Sequence, residues 1–474
     1  MLQDSYRRTV NVANSKGGHS LEFSQHVVDV VESDVVVVGG GPAGICAAVE
    51  AARNGADVVL VEQYGYLGGM ATAGLVGPFM TSFSADGSEQ VVMGIFEEIV
   101  QRMIKMDGAI HPRGLPAGSP HSGFFVEGHH NVTPFDPEAF KLVAFQLMEE
   151  TGVRLCLHSF FVAPLVENGV VGGVVIVGKS GFQVIRGKVV VDCTGDADVA
   201  AAAGVGFEMG RSDGKMQPMT MFFRVYNVDS QKVYEYVEAN PEDEGFQSFM
   251  EIARKKGEFP IETGLVGVYE THRKGEWRVN TSRMHDLDGT SVKDLTKGEV
   301  DGRHQVFAIF KFLRKYIPGF ENAQLMDTAA HVGVRETRHI HGDYTLTVED
   351  LVETKPFADA VGMYAYPVDI HDPSGRGHIL RSIEGGIAYE LPYRIMLPVG
   401  VENLIVSGRS VSATHEAAAA IRVMPCVMAL GQAAGAAAAI ASANDVNPRQ
   451  IDVRQLQERL IANGARLQIG RAHV

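Results

Sequence analysis

Residues 34–62 read DVVVVGGGPAGICAAVEAARNGADVVLVE, and this stretch decides the fold. It opens with a β-branched run that predicts a buried strand over residues 34–38. Three glycines follow in the spacing G-x-G-x-x-G, and an alanine-rich helix then runs to about Asn54, where Gly55 ends it. A second buried strand ends at Glu62. The order strand, glycine turn, helix, strand predicts a dinucleotide-binding βαβ unit.

Each part of this unit has a physical task in holding a dinucleotide. Gly39, Gly41 and Gly44 allow a tight turn, a close approach to a pyrophosphate, and close packing of helix on strand. Free N–H groups at the helix start bind phosphate oxygens, and Glu62 accepts a hydrogen bond from a ribose hydroxyl. The glycine spacing alone is weak evidence, but its context favours dinucleotide binding over a chance turn.

The composition narrows the class of protein. The chain has 474 residues, 45% of them hydrophobic, which suits one large or two to three ordinary domains. Its net charge of −15 argues against binding to nucleic acid or to an anionic membrane surface. We find no apolar run of the roughly 18–20 residues that a membrane span needs, and no signal-peptide core. We therefore expect a cytoplasmic protein with no nucleic-acid partner and no membrane contact.

The chain changes character twice along its length. Residues 27–205 carry the dinucleotide signature and several further strands. Residues 206–390 are more charged and hold nearly all the long polar loops, so we interpret them as a second domain inserted into the first. Residues 391–446 are again rich in small side chains and predict a strand and a long alanine/glycine helix. Residues 447–474 form a polar tail.

A second nucleotide motif is a false lead. Residues 173–180 read GVVIVGKS and match the phosphate-binding loop G-x-x-x-x-G-K-[ST]. The middle residues are strand formers, and the residues that follow predict another strand, so no helix directs its N–H groups at a phosphate. We therefore do not interpret the chain as an ATPase.

Five segments of the chain occur together in one known family. They are the opening βαβ unit, LGGMATAG, VVVDCTGDADVAAAAG, VGVRETRHIHGDYTLTVEDL and LPYRIMLPVGVENLIVSGRSVSATHEAAAAIRVMPCVMALGQAAG. The set resembles the FAD-dependent oxidoreductase family of glutathione-reductase-like flavoproteins, which is related to the fumarate reductase and succinate dehydrogenase flavoproteins. The resemblance implies an α/β fold: a discontinuous, Rossmann-like FAD-binding domain with an inserted α+β substrate domain.

The resemblance also implies which residues hold an extended FAD. They are Gly39, Gly41, Pro42, Ala43, Gly44, Gly408 and Arg409 for the pyrophosphate, Glu62 for the ribose, Gly68, Gly69 and Met70 for the phosphates and flavin, Phe161 and Val162 for the adenine, Thr194, Gly195 and Asp196 for the ribityl chain, and the helix start from Met424 to Val427 for the flavin N1–C2=O edge. A helix dipole stabilises the negative charge that develops at that edge. Residues 62–80 contain no histidine or cysteine, so we expect non-covalent FAD.

The motifs also bear on the type of reaction. One dinucleotide signature is evident, which disfavours a second site for NAD(P)H. The four cysteines stand singly, which disfavours the disulfide-reductase branch. What remains is direct transfer between flavin N5 and a small molecule, with protein groups orienting the substrate and moving the proton.

Candidate catalytic residues lie in and near the segment GVRETRHIHGDY, residues 333–344, which concentrates cationic side chains in an acidic protein. Arginine favours planar anions, and histidine titrates near neutrality. We therefore predict that Arg335, His341 and His371 orient an anionic or polyhydroxylated substrate and transfer its proton.

Two other interpretations of this segment stay open. Arg335 and Arg338 could form structural ion pairs or brace the domain junction, because such pairs look the same in sequence. His339 and His341 could ligate a metal, but no third ligand has a suggestive spacing, and we predict no metal site.

The sequence therefore predicts an FAD-dependent dehydrogenase or reductase that transfers a hydride between flavin N5 and a small metabolite. The alternatives are an oxidase or monooxygenase that uses O2, and a non-catalytic flavin-binding protein. The substrate and the electron acceptor are not identified by the sequence, and a homo-oligomer is compatible with it.

Overall fold

A computed structural model of the chain describes residues 27–126, 128–375 and 377–468. Its first elements are β1 (Val27–Val38), α1 (Pro42–Arg53), β2 (Val58–Val61), α2 (Ile95–Ile104), α3 (Pro137–Thr151), β3 (Arg154–Cys156), β4 (Phe160–Glu167), β5 (Val170–Gly178), β6 (Gly181–Asp192), α4 (Asp198–Ala202), β7 (Phe207–Met209), β8 (Phe223–Tyr226), α5 (Ser230–Ala239) and α6 (Gln247–Lys255). They are followed by β9 (Gly267–Glu270), β10 (Trp277–Asn280), α7 (Val292–Tyr316), β11 (Gln324–Thr328), β12 (Arg338–Ile340), α8 (Val348–Val352), β13 (Ala360–Tyr364), β14 (Val368–His371), β15 (His378–Arg381), β16 (Tyr389–Pro392), β17 (Leu404–Val406), α9 (His415–Ile421), α10 (Met424–Asn444) and α11 (Val453–Ala462).

The largest sheet has the strand order β3-β2-β1-β6-β5-β4, and β17 also pairs with β6. Strand β1 pairs in parallel with β2 and β6, so that Val36 lies between Val59 and Val190. All three valines are fully buried, as expected for parallel strands that are covered on both faces. The mixed α/β fold is confirmed, with the parallel strands of a Rossmann-type sheet at its centre and the antiparallel strands β5 and β4 at one edge.

The opening βαβ unit forms as predicted, except that β1 begins at Val27 rather than at the predicted Asp34. Helix α1 begins at Pro42 and ends at Arg53, and Gly55 follows with a φ of +89°. Glycine adopts this left-handed conformation without the steric cost that a Cβ would add. The GVVIVGKS segment lies in β5 and in the tight turn to β6, which pairs antiparallel with β5. No helix follows it, and the interpretation as a false lead is confirmed.

Helix α10 lies in the middle of the first domain and packs against α1. The predicted first residue was Pro425; the helix begins one residue earlier, at Met424. By length and composition alone this helix could cross a membrane, contrary to the expectation that no segment is long enough. However, 89% of its most apolar stretch is buried inside the protein, which is the environment of a core helix.

A second sheet, with the order β11-β8-β10-β9, is antiparallel throughout. It shares a hydrophobic core with α7, and Trp277, Phe223 and Phe320 are fully buried in that core. The core is separate from the one around α1 and α10, so the chain has two main hydrophobic cores, and a smaller third one lies on the other face of the large sheet.

Residues 346–397 contribute to the first core, not the second. Tyr364, Tyr389 and Tyr393 are at most 2% exposed there, and each hydroxyl donates to a backbone carbonyl. The predicted insertion, residues 206–390, is therefore divided between the two cores. The reason is that β13 pairs with β16 beside α10, which draws this segment back onto the first domain.

Candidate functional site

A cavity of about 500 Å³ lies at the carboxyl ends of the parallel strands β1, β2 and β6. Ligands of open α/β sheets bind at this edge. Fifteen of the eighteen predicted cofactor-binding residues line the cavity, namely Gly39, Gly41, Pro42, Ala43, Glu62, Gly69, Met70, Phe161, Thr194, Gly195, Asp196, Gly408, Arg409, Met424 and Val427. Residues that are far apart in the sequence thus line the same cavity.

The three remaining predicted residues lie outside the cavity. A Cβ at Gly44 would lie 2.9 Å from the carbonyl carbon of Gly39, so the glycine lets α1 begin directly against the turn. Gly68 adopts a left-handed backbone, with a φ of +113°. Val162 is 41% exposed, because successive residues of a strand face opposite sides and Phe161 takes the inner one.

The glycines of the turn have different structural roles. Gly39 has a φ of +102°, and a Cβ there would lie 2.6 Å from the carbonyl carbon of Cys193. Around Gly41, by contrast, the nearest atom to an added Cβ is the Cα of Gly69 at 3.9 Å. Gly41 is the N-cap of α1 and provides no side-chain acceptor for the first N–H groups of the helix. Those donors remain available to an anion in the cavity.

Glu62 stands at the end of β2 and is only 5% exposed. Its Oε2 accepts from the backbone N–H of Gly40 at 2.7 Å, and its Oε1 from that of Tyr64 at 2.9 Å. Burial raises the pKa of the carboxyl group, and these hydrogen bonds oppose the rise. A carboxylate has about four acceptor positions, so it can still accept from a ribose hydroxyl.

Arg409 and Asp196 form another part of the cavity wall. The Nη2 of Arg409 donates to Oδ1 of Asp196 at 2.6 Å, and the Nε of Arg409 is buried without a hydrogen-bond partner. Asp192 stabilises the loop that follows β6, because it accepts hydrogen bonds from the N–H and the hydroxyl of Thr194 at 3.0 and 2.7 Å. Burial raises the pKa of Asp192 to about 6.

The start of α10 also contributes to the cavity wall. Met424 and Val427 line it, and Val423 is an N-cap without a side-chain acceptor. The first turn of α10 contains no acidic residue. Its N–H groups and the positive end of the helix dipole are therefore unneutralised by the protein's own side chains.

The cavity also contains residues that the sequence analysis missed. Gly289, Thr290, Leu295, His331 and Val334 come from the part of the chain that builds the second core. The others come from the segments around the large sheet and α10, namely Val38, Val61, Gln63, Tyr64, Ser159, Phe160, Cys193, Asp198 and Arg422. No local motif marks the first group, because these residues reach the cavity only through the packing of one core against the other. Arg422 was within reach of sequence reasoning, since it stands two residues before the predicted helix start.

The three predicted catalytic residues do not line this cavity. Arg335 is buried, and its Nη1 donates to the carbonyl of Pro218 and the hydroxyl of Thr220, both at 2.6 Å. The side chain of His341 is 52% exposed and pairs with Glu208. His371 lines a separate cavity of about 20 Å³. The structure does not bring the three together in this cavity: Arg335 and His371 both lie near Asp369, whereas His341 lies apart beside Glu208.

The structure also bears on the two other interpretations of residues 333–344, the structural ion pairs and the metal site. The Nη1 of Arg338 donates to Asp198 at 2.9 Å and to the carbonyl of Asp196 at 2.8 Å, so this arginine braces the cavity wall. His339 is buried, whereas His341 is half exposed, so the two rings face different surroundings. Among the residues that the structure describes, no group of three or more His, Cys, Asp or Glu side chains could hold a metal ion.

Glu336 is the centre of a buried network beside Arg335. Its Oε1 accepts from His339 Nε2 at 3.1 Å and from His415 Nδ1 at 2.8 Å, and its Oε2 accepts from the N–H of Gln217 at 3.0 Å. Burial alone would raise the pKa of Glu336, but the two histidine hydrogen bonds overcome it and lower the pKa to about 2. The network joins the second core to the start of α9.

The residues around the cavity fit an adenine dinucleotide. Glu62 supplies an acceptor for a ribose, and the uncapped start of α1 supplies N–H donors for a pyrophosphate. Arg409 has a buried donor without a partner in the protein. The uncapped start of α10 suits an electron-rich ring edge.

A family model described as FAD dependent oxidoreductase matches residues 34–460 of the chain. Among individual proteins, digeranylgeranylglycerophospholipid reductase 2 of Methanopyrus kandleri is 28% identical over 194 residues, which are 40% of this chain and 43% of that protein. NADH oxidase of Thermoanaerobacter brockii is 46% identical over 63 residues, 13% of this chain and 9% of that protein. Each match thus spans less than half of the relative's length.

Solved structures were found with a similar course of the chain at low sequence identity. A geranylgeranyl bacteriochlorophyll reductase-like protein from Thermoplasma acidophilum has a TM-score of 0.46 at 16% identity, covering 92% of this chain and 85% of its own. A p-nitrophenol 4-monooxygenase from Pseudomonas putida has a TM-score of 0.46 at 12% identity, with the same coverage of 92% and 85%.

Proposed function

The chain belongs to the FAD dependent oxidoreductase family and uses FAD, and we propose that it transfers a hydride between FAD and a small anionic or polyhydroxylated metabolite. We propose further that FAD is bound non-covalently in the extended, glutathione-reductase-like arrangement. The second core then acts as the substrate domain.

The observation that carries the proposal is the cavity between the starts of α1 and α10. Both helices begin there without a side-chain cap, and Glu62 stands at the end of the adjacent strand. Residues separated by almost 400 positions, from Gly39 to Val427, thus line one site. Such a site matches a ligand with a ribose, a pyrophosphate and an electron-rich ring.

The residues of the chain would divide the binding as follows. Glu62 accepts from the adenosine ribose, and the first turn of α1 and Arg409 bind the pyrophosphate. Asp196 holds Arg409 in place and faces the ribityl chain. The start of α10 stabilises negative charge at the N1–C2=O edge of the flavin.

Bound FAD supplies the hydride chemistry at its N5 atom. The chain's own thiols are poorly suited to relay electrons, because burial raises the pKa values of Cys46, Cys193 and Cys426 and thus disfavours the reactive thiolate. The substrate therefore meets the flavin directly, at the α10 end of the cavity, where Arg422 is the cationic side chain on the wall. The proposed partners are thus a small-molecule substrate and an electron acceptor, with no nucleic acid and no membrane; a cytoplasmic, homo-oligomeric protein is compatible with this function.

A pair of substitutions at Gly41 tests cofactor binding. Gly41→Asp places a negative charge in the pyrophosphate cradle, whereas Gly41→Asn has nearly the same shape and no charge. Both side chains suit an N-cap, and an added Cβ meets no atom closer than 3.9 Å, so neither should unfold the protein. We expect Gly41→Asp to lose FAD, measured as flavin absorbance per protein, while Gly41→Asn retains a larger share. Equal FAD content in both variants would contradict the pyrophosphate assignment.

Anaerobic bleaching of the bound flavin tests the reaction type. A panel of hydroxy acids, amino acids and sugars should contain a compound that reduces the flavin or reoxidises the reduced flavin. Rapid mixing of the reduced enzyme with air then separates the alternatives, because a dehydrogenase should reoxidise slowly and an oxidase or monooxygenase quickly. Stoichiometric FAD without a response to any compound would favour a non-catalytic flavin protein.

A further inference from the structure

Three arginine side chains converge beside the α10 end of the cavity. Arg283 and Arg335 are 5% and 9% exposed and share two neutral acceptors. Thr220 Oγ1 accepts from Arg283 at 3.2 Å and from Arg335 at 2.6 Å. Asn280 Oδ1 accepts from both at 3.2 Å. The two guanidinium groups are therefore held side by side without a carboxylate between them.

Arg422 connects this pair to the cavity. It lines the cavity wall, and its Nη2 lies 3.4 Å from Oε1 of Gln217 and 3.8 Å from Oδ2 of Asp369. Asp369 is the carboxylate that faces all three arginines, and it also accepts from the hydroxyl of Tyr366 at 2.9 Å. Within the described part of the chain, no carboxylate oxygen lies within 4.0 Å of Arg283 or Arg335.

The arrangement leaves a surplus of buried positive charge. Burial lowers the pKa of Arg283 to about 10. Burial and the neighbouring charges of Arg283 and Arg422 lower the pKa of Arg335 far below its usual value. An uncompensated buried charge is costly, and a bound anion removes that cost. In the described part of the chain, Asp369 is the carboxylate that interacts with all three arginines, so three positive charges face one negative charge there.

Two N–H donors at the same place have no acceptor. The Nε of Arg422 and the Nε2 of Gln217 are buried without a hydrogen-bond partner, and Gln217 is 2% exposed. Buried donors normally find acceptors, because leaving a buried donor without one destabilises the folded protein. Donors without acceptors next to surplus positive charge indicate a binding place for an anion with several oxygens.

We propose that the substrate carries a carboxylate and that Arg422 binds it on the cavity wall, with Arg283 and Arg335 supplying the compensating charge from behind. Guanidinium groups bind planar carboxylates through paired hydrogen bonds. The carboxylate would sit beside the start of α10, which places the rest of the substrate next to the flavin ring. This inference rests on the proposed function, since it needs FAD in the same cavity.

The test uses the FAD-loaded protein and small probe anions. Acetate, malonate, succinate and benzoate are titrated while the flavin absorbance spectrum is recorded, and the corresponding amides are titrated at the same ionic strength. We expect at least one carboxylate to perturb the flavin spectrum saturably and its amide to have no effect. The same carboxylate should raise the melting temperature of the holoprotein, because it binds the folded state.

Two substitutions locate the response at the cluster. Arg422→Gln removes the wall cation and should weaken carboxylate binding about 10- to 100-fold, the range for a charged hydrogen bond. Gln217→Glu keeps the shape and places a competing negative charge 3.4 Å from Arg422, so it should abolish the response. Arg314→Gln is the matched control, because Arg314 lies exposed at the end of α7 and donates to the carbonyl of Glu321.

The outcomes separate this inference from the proposed function. Wild-type protein that takes up no FAD would contradict the proposed function itself. Stoichiometric FAD with no carboxylate response, an equal response to the amides, or an unchanged response in Arg422→Gln would overturn the inference alone. Inorganic phosphate binding more tightly than every carboxylate would overturn the assigned substrate class.

Discussion

Gly431 in α10 lies directly against the backbone of Ala43 in α1. A Cβ at Gly431 would lie 2.8 Å from the carbonyl carbon of Ala43, a distance that real Cβ atoms essentially never show. One turn later, a Cβ at Gly435 would lie 2.9 Å from the carbonyl carbon of Ala47. The two helices whose starts frame the cavity are thus in backbone contact, and this contact sets the spacing of the cofactor site.

We therefore expect Gly431→Ala to destabilise the protein. In an exposed helix the same change would stabilise by about 1 kcal/mol, whereas overpacking a core costs about 1–3 kcal/mol. Gly298→Ala in α7 is the matched control, since its added Cβ meets no atom closer than 3.4 Å. Urea unfolding should show a loss of stability for Gly431→Ala and no loss for Gly298→Ala. Equal effects would mean that α10 and α1 are not in backbone contact.

Glu62→Gln should weaken FAD binding. Both carboxylate oxygens of Glu62 accept backbone N–H groups, so a glutamine would have to turn its NH2 group toward one of these donors. The loss of a charged hydrogen bond corresponds to about a 10- to 100-fold increase in Kd. Titration of the apoprotein with FAD, followed by flavin fluorescence, measures the change. The exposed Glu167→Gln serves as the control, and a wild-type affinity in Glu62→Gln would argue against a ribose contact.

Glu336→Gln should reduce stability in a pH-dependent manner. The pKa of Glu336 is lowered to about 2 in the folded protein, below the roughly 4.3 of an unfolded glutamate. Its stabilising effect of about 3 kcal/mol is therefore present above pH 4.3 and is lost as the pH falls toward 2. The difference in unfolding free energy between wild type and variant should shrink between pH 5 and pH 3. A difference that stays constant over this range would show that the carboxylate charge does not contribute.

Thiol labelling should distinguish the four cysteines. Cys156 is partly exposed, whereas Cys46, Cys193 and Cys426 are buried, and burial raises the pKa of all four thiols. Because the thiolate is the reactive form, an aromatic disulfide reagent should label at most one thiol per native chain and four in denaturant. Rapid labelling of two or more native thiols would contradict the described burial.

Local sequence signals predicted the first and last residues of some elements. Helix α3 begins at Pro137 after the N-cap Asp136, whose side chain accepts from the N–H of Glu138 at 2.9 Å, and it ends where Gly152 turns left-handed. A cap, an N-terminal proline and a glycine stop act over one turn of helix, so the sequence contains the whole cause. The glycine turn and α1 of the opening unit have local causes of the same kind, whereas β1 begins at Val27 rather than at the predicted Asp34.

The catalytic assignment could not be made in this way. The segment 333–344 looks like one cationic cluster in sequence, but Arg335 points toward Thr220 and His341 toward Glu208. The arginines that do converge with Arg335 are Arg283 and Arg422, more than 50 positions away on either side. Charged residues that are distant in the sequence come close together only because the two cores pack against each other.

The order of residues was sufficient to establish the nucleotide-binding unit, the family and the cofactor, because those properties depend on short-range backbone geometry and on motifs of adjacent residues. The packing of the second core against the first decided which side chains face the cavity, which part of the predicted insertion returns to the first core, and where the surplus positive charge lies. These features depend on contacts between distant segments, and the burial that shifts the pKa values of Glu336 and Arg335 exists only once those contacts have formed.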